Sequence, residues 1–402
     1  MNTSAGFKAR CAMIKVAWLV PNTPGWIGGL NYFINLASAL LALPERRIEP
    51  VVLGGTAALP EPLRSLATVP YPGDTKKYSL RWWLTRLDRK FNAKGGMQTR
   101  IFQQYDIRLF SHGWPLGTKS PVPSLCWIPD FQHKHLPHMF SQEEIAARDH
   151  GCGDVADKAQ AVLLSSADAE KDFRYFFPKA AGKTHVLRFV AAPSRGEDTT
   201  VVLAHYGIRE PYFHIPNQLW LHKNHEVVLE ALSLLRDSGI CPLVVSTGQT
   251  DDYRHPGYFT EFKERVATAG LAERFRFLGL IEFAHAKALM CGSIAMINPS
   301  RFEGWSTTVE EAKSLGKRLL LSDIPVHREQ APERGLYFGV DDAETLADLM
   351  RQTMDEYSPA VEEEARQKAE SALPGRMADF ARTYENIVLR VLAEHETQAA
   401  RR

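Results

Sequence analysis

The chain has 402 residues, of which 45% are hydrophobic and 24% are charged, so it is long enough for two packed domains and is neither fibrous nor disordered in bulk. Its 48 Lys and Arg residues nearly balance 47 Asp and Glu residues, which argues against a nucleic-acid partner. The five cysteines lack the close paired spacing of disulfide frameworks and zinc sites. No apolar run reaches the length that spans a bilayer, and the run Met13–Val20 is too short and polar for a signal peptide. We therefore expect a cytoplasmic protein.

The amino-terminal half has the pattern of a doubly wound α/β domain. An apolar run, Ile14–Val20, predicts a buried parallel strand, a Gly/Pro-rich loop follows over Pro21–Gly29, and apolar residues at helical spacing predict a helix over Leu30–Leu43. Further strands are predicted at Pro50–Leu53, Ile107–Phe110, Ser124–Ile128 and Ala161–Ser165. The amino-terminal domain is expected to span residues 1–190.

A second α/β unit follows a linker near 185–200 and is expected to span residues 191–375. Its predicted strands are Tyr212–Ile215, Leu243–Ser246, Phe275–Leu278, Ala295–Asn298 and Arg318–Ser322. Helices are predicted at His225–Asp237, Tyr258–Ala269 and Thr307–Leu315. A last amphipathic helix, Met377–Leu392, is expected to pack back on the domains within 376–402, with a frayed tail.

The segment from Asn298 to Gly316 carries the most specific pattern. It predicts a strand, a tight loop and a helix, with Glu303 in the loop and Glu311 inside the helix. Free backbone amides between Gly304 and Thr308, with the helix dipole behind them, suit a diphosphate. Ionised carboxylates accept hydrogen bonds from sugar and ribose hydroxyls. We expect both glutamates to face one pocket and the neighbouring Glu310 to face solvent.

This segment resembles glycosyltransferase family 4, of the "group 1" type, whose signature is a Glu-Gly-aromatic loop, a second glutamate, then an Ala and a Gly. The resemblance implies the GT-B architecture, two Rossmann-like domains facing a cleft, and retention of configuration at the anomeric carbon. It implies that Glu303 and adjacent amides hold the donor sugar and that Glu311 binds the ribose.

The resemblance extends to two further loops. Lys223 stands where the family has a lysine that neutralises the donor diphosphate, whereas Gln218 replaces the usual arginine. Gly28 and Gly29 lie in the loop that approaches the phosphates from the amino-terminal domain. The implied donor-binding residues are Gly28, Gly29, Asn217, Gln218, Lys223, Gly304, Trp305, Ser306, Thr307 and Glu311.

A histidine-rich loop, Trp127–His138, follows a predicted strand of the amino-terminal domain. Family members often carry a His-acidic pair here, which makes Asp130 the acidic candidate and His133 a stand-in for the histidine; a hydrogen-bonded loop histidine is an equal alternative. The irregular loop argues against zinc, so no metal is expected. With Glu303 and Lys223, His133 completes the set of catalytic candidates.

These features predict a metal-independent retaining hexosyltransferase that uses a nucleoside-diphosphate sugar as substrate and needs no separate cofactor. The expected acceptor is a hydroxyl of a glycan, a glycolipid or another molecule, in bacterial polysaccharide or glycolipid synthesis. The alternatives are a non-catalytic sugar-nucleotide binding protein and an epimerase of the same fold. Leu80–Lys94 predicts a basic amphipathic helix, which is interpreted as packed in the domain, with peripheral contact to the inner face of the membrane as the minority hypothesis.

Overall fold

The structure, a computed structural model, describes residues 13–21, 27–71, 96–192 and 197–401. Its amino-terminal part is a parallel sheet whose seven described strands have the order β3-β2-β1-β4-β5-β6-β7. They are β1 (Ile14–Trp18), β2 (Ile48–Leu53), β3 (Ala67–Val69), β4 (Ile107–Ser111), β5 (Ser124–Ile128), β6 (Ala161–Leu164) and β7 (Thr184–Val186).

The carboxyl-terminal part is a second parallel sheet, with six strands in the described residues and the order β10-β9-β8-β11-β12-β13. They are β8 (Tyr212–Ile215), β9 (Leu243–Thr247), β10 (Phe275–Gly279), β11 (Ala295–Asn298), β12 (Leu319–Ser322) and β13 (Gly335–Phe338). Each sheet therefore has a point where the strand order reverses, between β1 and β4 and between β8 and β11. In open parallel sheets, ligands bind beyond the carboxyl ends of the strands at such a point.

Helices connect the strands, as parallel pairing requires. In the described part of the chain they are α1 (Ile27–Ala42), α2 (Gly96–Gln104), α3 (Gln132–His135), α4 (Gln142–Lys158), α5 (Ala167–Phe176), α6 (Thr199–His205), α7 (His225–Asp237), α8 (Tyr258–Thr268), α9 (Phe283–Gly292), α10 (Thr307–Ser314), α11 (Pro325–Gln330), α12 (Ala343–Glu356) and α13 (Pro359–Ala400). Short 3₁₀ turns lie at Leu63–Ser65, Pro137–Met139, Pro178–Lys183 and Leu221–Lys223.

The long helix α13 ties the two halves together. Its second half buries Phe380, Tyr384 and Val388 in the same core as α1, and the Trp18 indole donates to the Tyr384 hydroxyl at 2.7 Å. Its first half is anchored to the carboxyl-terminal part through Glu362, which pairs with Lys317 and Arg334. The helix thus begins well before the predicted Met377 and runs across the predicted boundary at 375/376.

The predicted strands are confirmed, with ends that shift by at most two residues. The sequence patterns missed β3, β7 and β13, which are short and carry no continuous buried run. Helix α13 continues to Ala400. The predicted domain limits and the predicted frayed tail stay predictions.

None of the described helices is long and apolar enough to cross a membrane. The segment Leu80–Lys94, with its predicted amphipathic helix, lies outside the described residues.

Candidate active site

A cleft of about 1330 Å³ lies between the two sheets, and both halves of the chain line it. The start of α1, which follows β1, and the loops that follow β8 and β11 contribute to its walls, so the cleft sits at the order reversals of both sheets. Of the candidate site residues, all but His133 line this cleft: Gly28, Gly29, Asn217, Gln218, Lys223, Glu303, Gly304, Trp305, Ser306, Thr307 and Glu311. The cleft therefore brings together residues that lie nearly 300 positions apart.

Two helix N-termini meet in the cleft. Helix α1 begins at Ile27 and α10 begins at Thr307, and a Cβ atom built on Gly28 would lie 4.0 Å from the Thr307 hydroxyl oxygen. The side chain of the N-cap residue of α10, Ser306, accepts no capping hydrogen bond within the described chain. Because the N-terminus of a helix carries unsatisfied amides and a partial positive charge, this arrangement favours an anionic group between the two helices.

A buried ion pair joins the loops that follow β8 and β11. The Lys223 ammonium lies 2.7 Å from Glu303 Oε1, and their side chains are only 14% and 11% exposed. The Ser300 hydroxyl donates to the same oxygen at 2.7 Å. Burial alone raises the pKa of Glu303, but Lys223 and His327 bring the pKa below its ordinary value, so the carboxylate is ionised at neutral pH.

Glu311 contrasts with Glu303 because it has no partner. It is 6% exposed, and among the described residues its carboxyl group forms no hydrogen bond or ion pair. Burial raises the pKa of Glu311 to about 7. The side chain is therefore an unsatisfied group at the cleft wall, and a hydroxyl donor placed beside it would favour the ionised form.

In the described part of the chain, the side chain of Asn217 forms hydrogen bonds, whereas that of Gln218 forms none. The Asn217 amide donates to Asn298 Oδ1 at 2.9 Å and accepts from the Thr308 hydroxyl at 3.3 Å, so it ties the loop after β8 to the start of α10. Gln218 lines the cleft, and within the described chain its side chain forms no hydrogen bond. Gly248 packs against this loop so closely that a Cβ would lie 2.7 Å from the Asn217 carbonyl oxygen.

Comparison with known proteins relates the carboxyl-terminal part to a family. A family model described as "Glycosyl transferases group 1" matches residues 207–372, which include β8 to β13 and both glutamates of the cleft. We call the matched residues the group 1 domain. The match confirms the predicted family resemblance for this part of the chain.

Two curated relatives carry similar segments. Over 134 residues, the chain is 28% identical to the O-antigen chain mannosyltransferase RfbU of Salmonella typhimurium, which covers 33% of this chain and 36% of the relative. Over 106 residues it is 31% identical to the lipopolysaccharide core biosynthesis mannosyltransferase LpsB of Rhizobium meliloti, covering 25% and 30% of the two chains. The matches thus span about a third of the length of these relatives.

A solved structure shares the fold over nearly the whole chain. The structure of HepE from Anabaena, in complex with UDP and glucose, superposes with a TM-score of 0.62 at 15% identity, covering 96% of this chain and 100% of that chain. This likeness confirms the predicted GT-B architecture, in which two Rossmann-like domains face a cleft.

The group 1 domain contacts the amino-terminal domain through Gly304 and Trp305. A Cβ on Gly304 would lie 2.6 Å from the Pro129 carbonyl oxygen and 2.8 Å from Asp130 Cβ, so the glycine is needed where the domains touch. The Trp305 indole donates to the Phe189 carbonyl at 3.0 Å. Gly304 therefore allows the two domains to approach closely, and Trp305 helps to fix the same interface.

His133 does not line the cleft, contrary to the prediction. Its side chain is 1% exposed, and Nε2 lies 3.0 Å from Asp149 Oδ1, on helix α4. Burial lowers the pKa of His133, so the ring is neutral at pH 7. The alternative interpretation, a hydrogen-bonded loop histidine, describes this geometry, while Asp130 does line the cleft.

Glu310 is buried, so its predicted exposure to solvent is wrong. Its side chain is 2% exposed and pairs with Arg376 of α13 at 2.6 Å and with Lys313 at 2.9 Å. The sequence pattern missed this role because α13 was predicted to begin after Arg376. Glu310 thus connects the group 1 domain to the long helix.

The sequence also missed the loop after β9, residues 248–257, which forms one wall of the cleft. Asp252 accepts from the Leu221 amide at 3.3 Å, and Arg254 donates to His222 Nδ1 at 3.2 Å. Both contacts brace the turn that carries Lys223. The only signal in the sequence was the position of this loop, directly after a predicted strand.

Proposed function

We propose that the protein is a glycosyltransferase that moves a sugar from a nucleoside-diphosphate donor to a hydroxyl group of an acceptor, in the synthesis of a bacterial polysaccharide or glycolipid. One observation carries this proposal: the N-termini of α1 and α10 meet at the cleft beside the Lys223–Glu303 pair. That arrangement presents amides and a cation to a diphosphate. The group 1 match and the names of the curated relatives support the same activity.

In the proposed complex, the diphosphate lies between the two helix N-termini and the nucleotide lies on the group 1 domain. Glu311 accepts hydrogen bonds from the ribose hydroxyls, which relieves its unsatisfied burial. Glu303 accepts from the hydroxyls of the donor sugar while Lys223 turns toward the phosphates. The UDP bound to HepE supports a nucleotide donor.

The proposed reaction retains the configuration of the anomeric carbon and uses no metal ion. The bond from the anomeric carbon to the diphosphate oxygen breaks, the acceptor oxygen forms the new bond on the same face, and its proton leaves with the diphosphate. The protein contributes fixed amides and the Lys223 ammonium, which stabilise charge on the departing diphosphate. This is electrostatic stabilisation rather than catalysis by a protein base.

The acceptor is expected to enter from the amino-terminal side of the cleft. There the rings of Tyr32 and Trp127 stack at 4.5 Å with planes 16° apart, and both residues line the cleft. Asp130 and Gln132 add polar groups to the same wall. Apolar rings beside polar side chains suit a sugar ring of a growing glycan or glycolipid.

The experiment is a transfer assay with the purified full chain, with and without a metal chelator. Because both curated relatives are named as mannosyltransferases, mannosyl donors of each common base are tested first, then other sugars. Proton NMR of the product, recorded as it forms, gives the anomeric configuration. Transfer with retention supports the proposal; inverted product refutes retention.

Binding of a donor without transfer or hydrolysis identifies the non-catalytic alternative, and an epimerised donor without acceptor identifies the epimerase. Loss of activity on chelation refutes the metal-free mechanism.

A further inference from the structure

Two arginines from opposite sides of the cleft converge on one aromatic ring. Arg148, on helix α4 of the amino-terminal domain, lies with its guanidinium carbon 4.8 Å from the centroid of Phe140, and Arg254, in the loop after β9, lies 5.0 Å from the same centroid. Both arginines line the cleft. Two positive charges, one from each domain, therefore contact the same ring.

Neither guanidinium forms a hydrogen bond to a carboxylate within the described chain. Arg148 is 3.9 Å from Asp130, and its side chain is 41% exposed to the cleft. Arg254 is 5% exposed and lies 3.5 Å from Asp252, with its Nε buried and without a hydrogen-bond partner.

Arg254 forms its hydrogen bonds to neutral acceptors, and it also lies 5.4 and 5.6 Å from the ring centroids of Trp220 and Tyr253. It donates to Gln132 at 3.4 Å and to His222 at 3.2 Å. Burial and nearby cations lower the pKa of His222 well below its usual value, so this ring is uncharged. The hydrogen-bonding capacity of Arg254 toward an anion is therefore largely unused.

Other arginines in the described part of the chain form direct hydrogen bonds to carboxylates. Arg328 forms two hydrogen bonds to Asp323, at 2.6 and 2.7 Å, and Arg376 forms one to Glu310 at 2.6 Å. Such charge-assisted contacts are the usual state of a guanidinium that packs against other groups. Arg148 and Arg254 both lack such a contact in the described chain, so each guanidinium can still bind an anion.

The geometry points to a second anion-binding site in the cleft, formed by Arg148 and Arg254, that takes a phosphate or carboxylate group of a substrate. It is separate from the Lys223–Glu303 pair, and each partner domain supplies one guanidinium, so an anion bound here also holds the domains together. The assignment of the anion to a substrate rests on the proposed function. Two sources fit the chemistry: an acidic group on the acceptor, and an additional contact to the donor diphosphate beyond those at the helix N-termini.

The test is isothermal titration calorimetry of the full chain with inorganic pyrophosphate, inorganic phosphate, UDP and GDP at low salt, without any transfer step. The variants are Arg148→Gln and Arg254→Gln, with Arg254→Lys to keep the charge but lose the planar fork. The matched control is Arg274→Gln, which removes a surface arginine paired with Glu210 outside the cleft. Thermal melting checks that each variant is folded.

Both glutamine variants should weaken anion binding by about 10-fold to 100-fold, as expected for loss of a charge-assisted contact, with Arg254→Lys intermediate and the control unchanged. Weaker binding of nucleoside diphosphates assigns the site to the donor; weaker binding of inorganic phosphate alone assigns it to an acidic acceptor group.

Wild-type affinity for every anion in both variants overturns the site, as does an absence of anion binding by the wild type. Because Arg148 is partly exposed, its variant remains informative if Arg254→Gln fails to fold. A chain that binds anions through these arginines but transfers no sugar refutes the proposed activity and leaves this site intact.

Discussion

Glu311 is the residue whose replacement tests the cleft most quantitatively. Its carboxyl group is buried and, in the described part of the chain, unpaired, and burial raises its pKa from 4.5 to about 7. Between these two values the folded protein holds a proton that the unfolded chain has lost. The free energy of unfolding therefore falls as pH rises through this window, and the full cost is reached above pH 7.

The size of this loss in the free energy of unfolding follows from the shift in the pKa of Glu311. Each unit corresponds to about 1.4 kcal/mol, so ionised Glu311 costs the folded state about 3 kcal/mol at high pH. Roughly 2 kcal/mol of this cost appears between about pH 5.5 and about pH 8. The glutamine side chain in Glu311→Gln is uncharged at every pH, so this variant should lose the pH dependence of stability that Glu311 causes. Because the buried histidines titrate in both proteins, their effects cancel in the difference between variant and wild type.

The assay is urea unfolding of wild type and Glu311→Gln at both pH values, with Glu264→Gln as control. Glu264 is exposed on α8, and its replacement should leave the pH dependence unchanged. The gain in stability of Glu311→Gln should be larger at the higher pH by roughly 2 kcal/mol. Donor affinity of the wild type should rise over the same range, since ribose hydroxyls bind the ionised form.

A stability difference between Glu311→Gln and wild type that does not change with pH would show that burial does not raise the pKa of Glu311. So would a difference that grows toward acid, because that sign requires a carboxylate stabilised in the folded state.

Three further outcomes follow from the contacts of the cleft. Lys223→Met leaves Glu303 buried without its cation and should lower the free energy of unfolding by about 3–5 kcal/mol, part of which returns when Glu303→Gln is added; urea unfolding of the single and double variants measures both. Gly304→Ala pushes a methyl group into the opposing domain and should lower turnover about tenfold or more while donor affinity changes less, which steady-state kinetics and calorimetry separate. Glu329→Gln weakens the acceptor of the first amide of α5, that of Ala167, which lies 2.8 and 2.9 Å from the two carboxylate oxygens, and should speed amide hydrogen exchange in α5, whereas unchanged exchange would contradict a role for this contact between the domains.

Most of the fold could be predicted because its strands are buried on both faces. Runs such as Ala295–Asn298 and Ser124–Ile128 are continuously apolar or nearly so, and a pattern of this kind identifies a central parallel strand from local sequence. The edge strands β3, β7 and β13 are partly exposed and short, so their sequences resemble loops. The first half of α13 was missed because its surface is largely exposed and Pro374 interrupts the pattern.

The sequence also predicted many of the residues that line the candidate site, but not their partners. Glu303 and Glu311 flank a predicted helix start at a fixed spacing, and Lys223 lies in a loop after a predicted strand, so local sequence was enough to select them. The cleft brings the three residues together. The partners of these residues were not predictable, because they depend on distances between loops. The pairing of Lys223 with Glu303, the contact of Gly304 with the opposing domain and the two arginines at Phe140 all join segments far apart in the chain.

A crystal structure of the full chain with a nucleoside-diphosphate sugar is the decisive test of the proposed donor site. Density for the diphosphate is expected between the N-termini of α1 and α10, with the ribose beside Glu311 and the Lys223 ammonium turned toward the phosphates. A donor bound outside this cleft, or a cleft filled by the Lys223–Glu303 pair with no diphosphate at the helix ends, would contradict it.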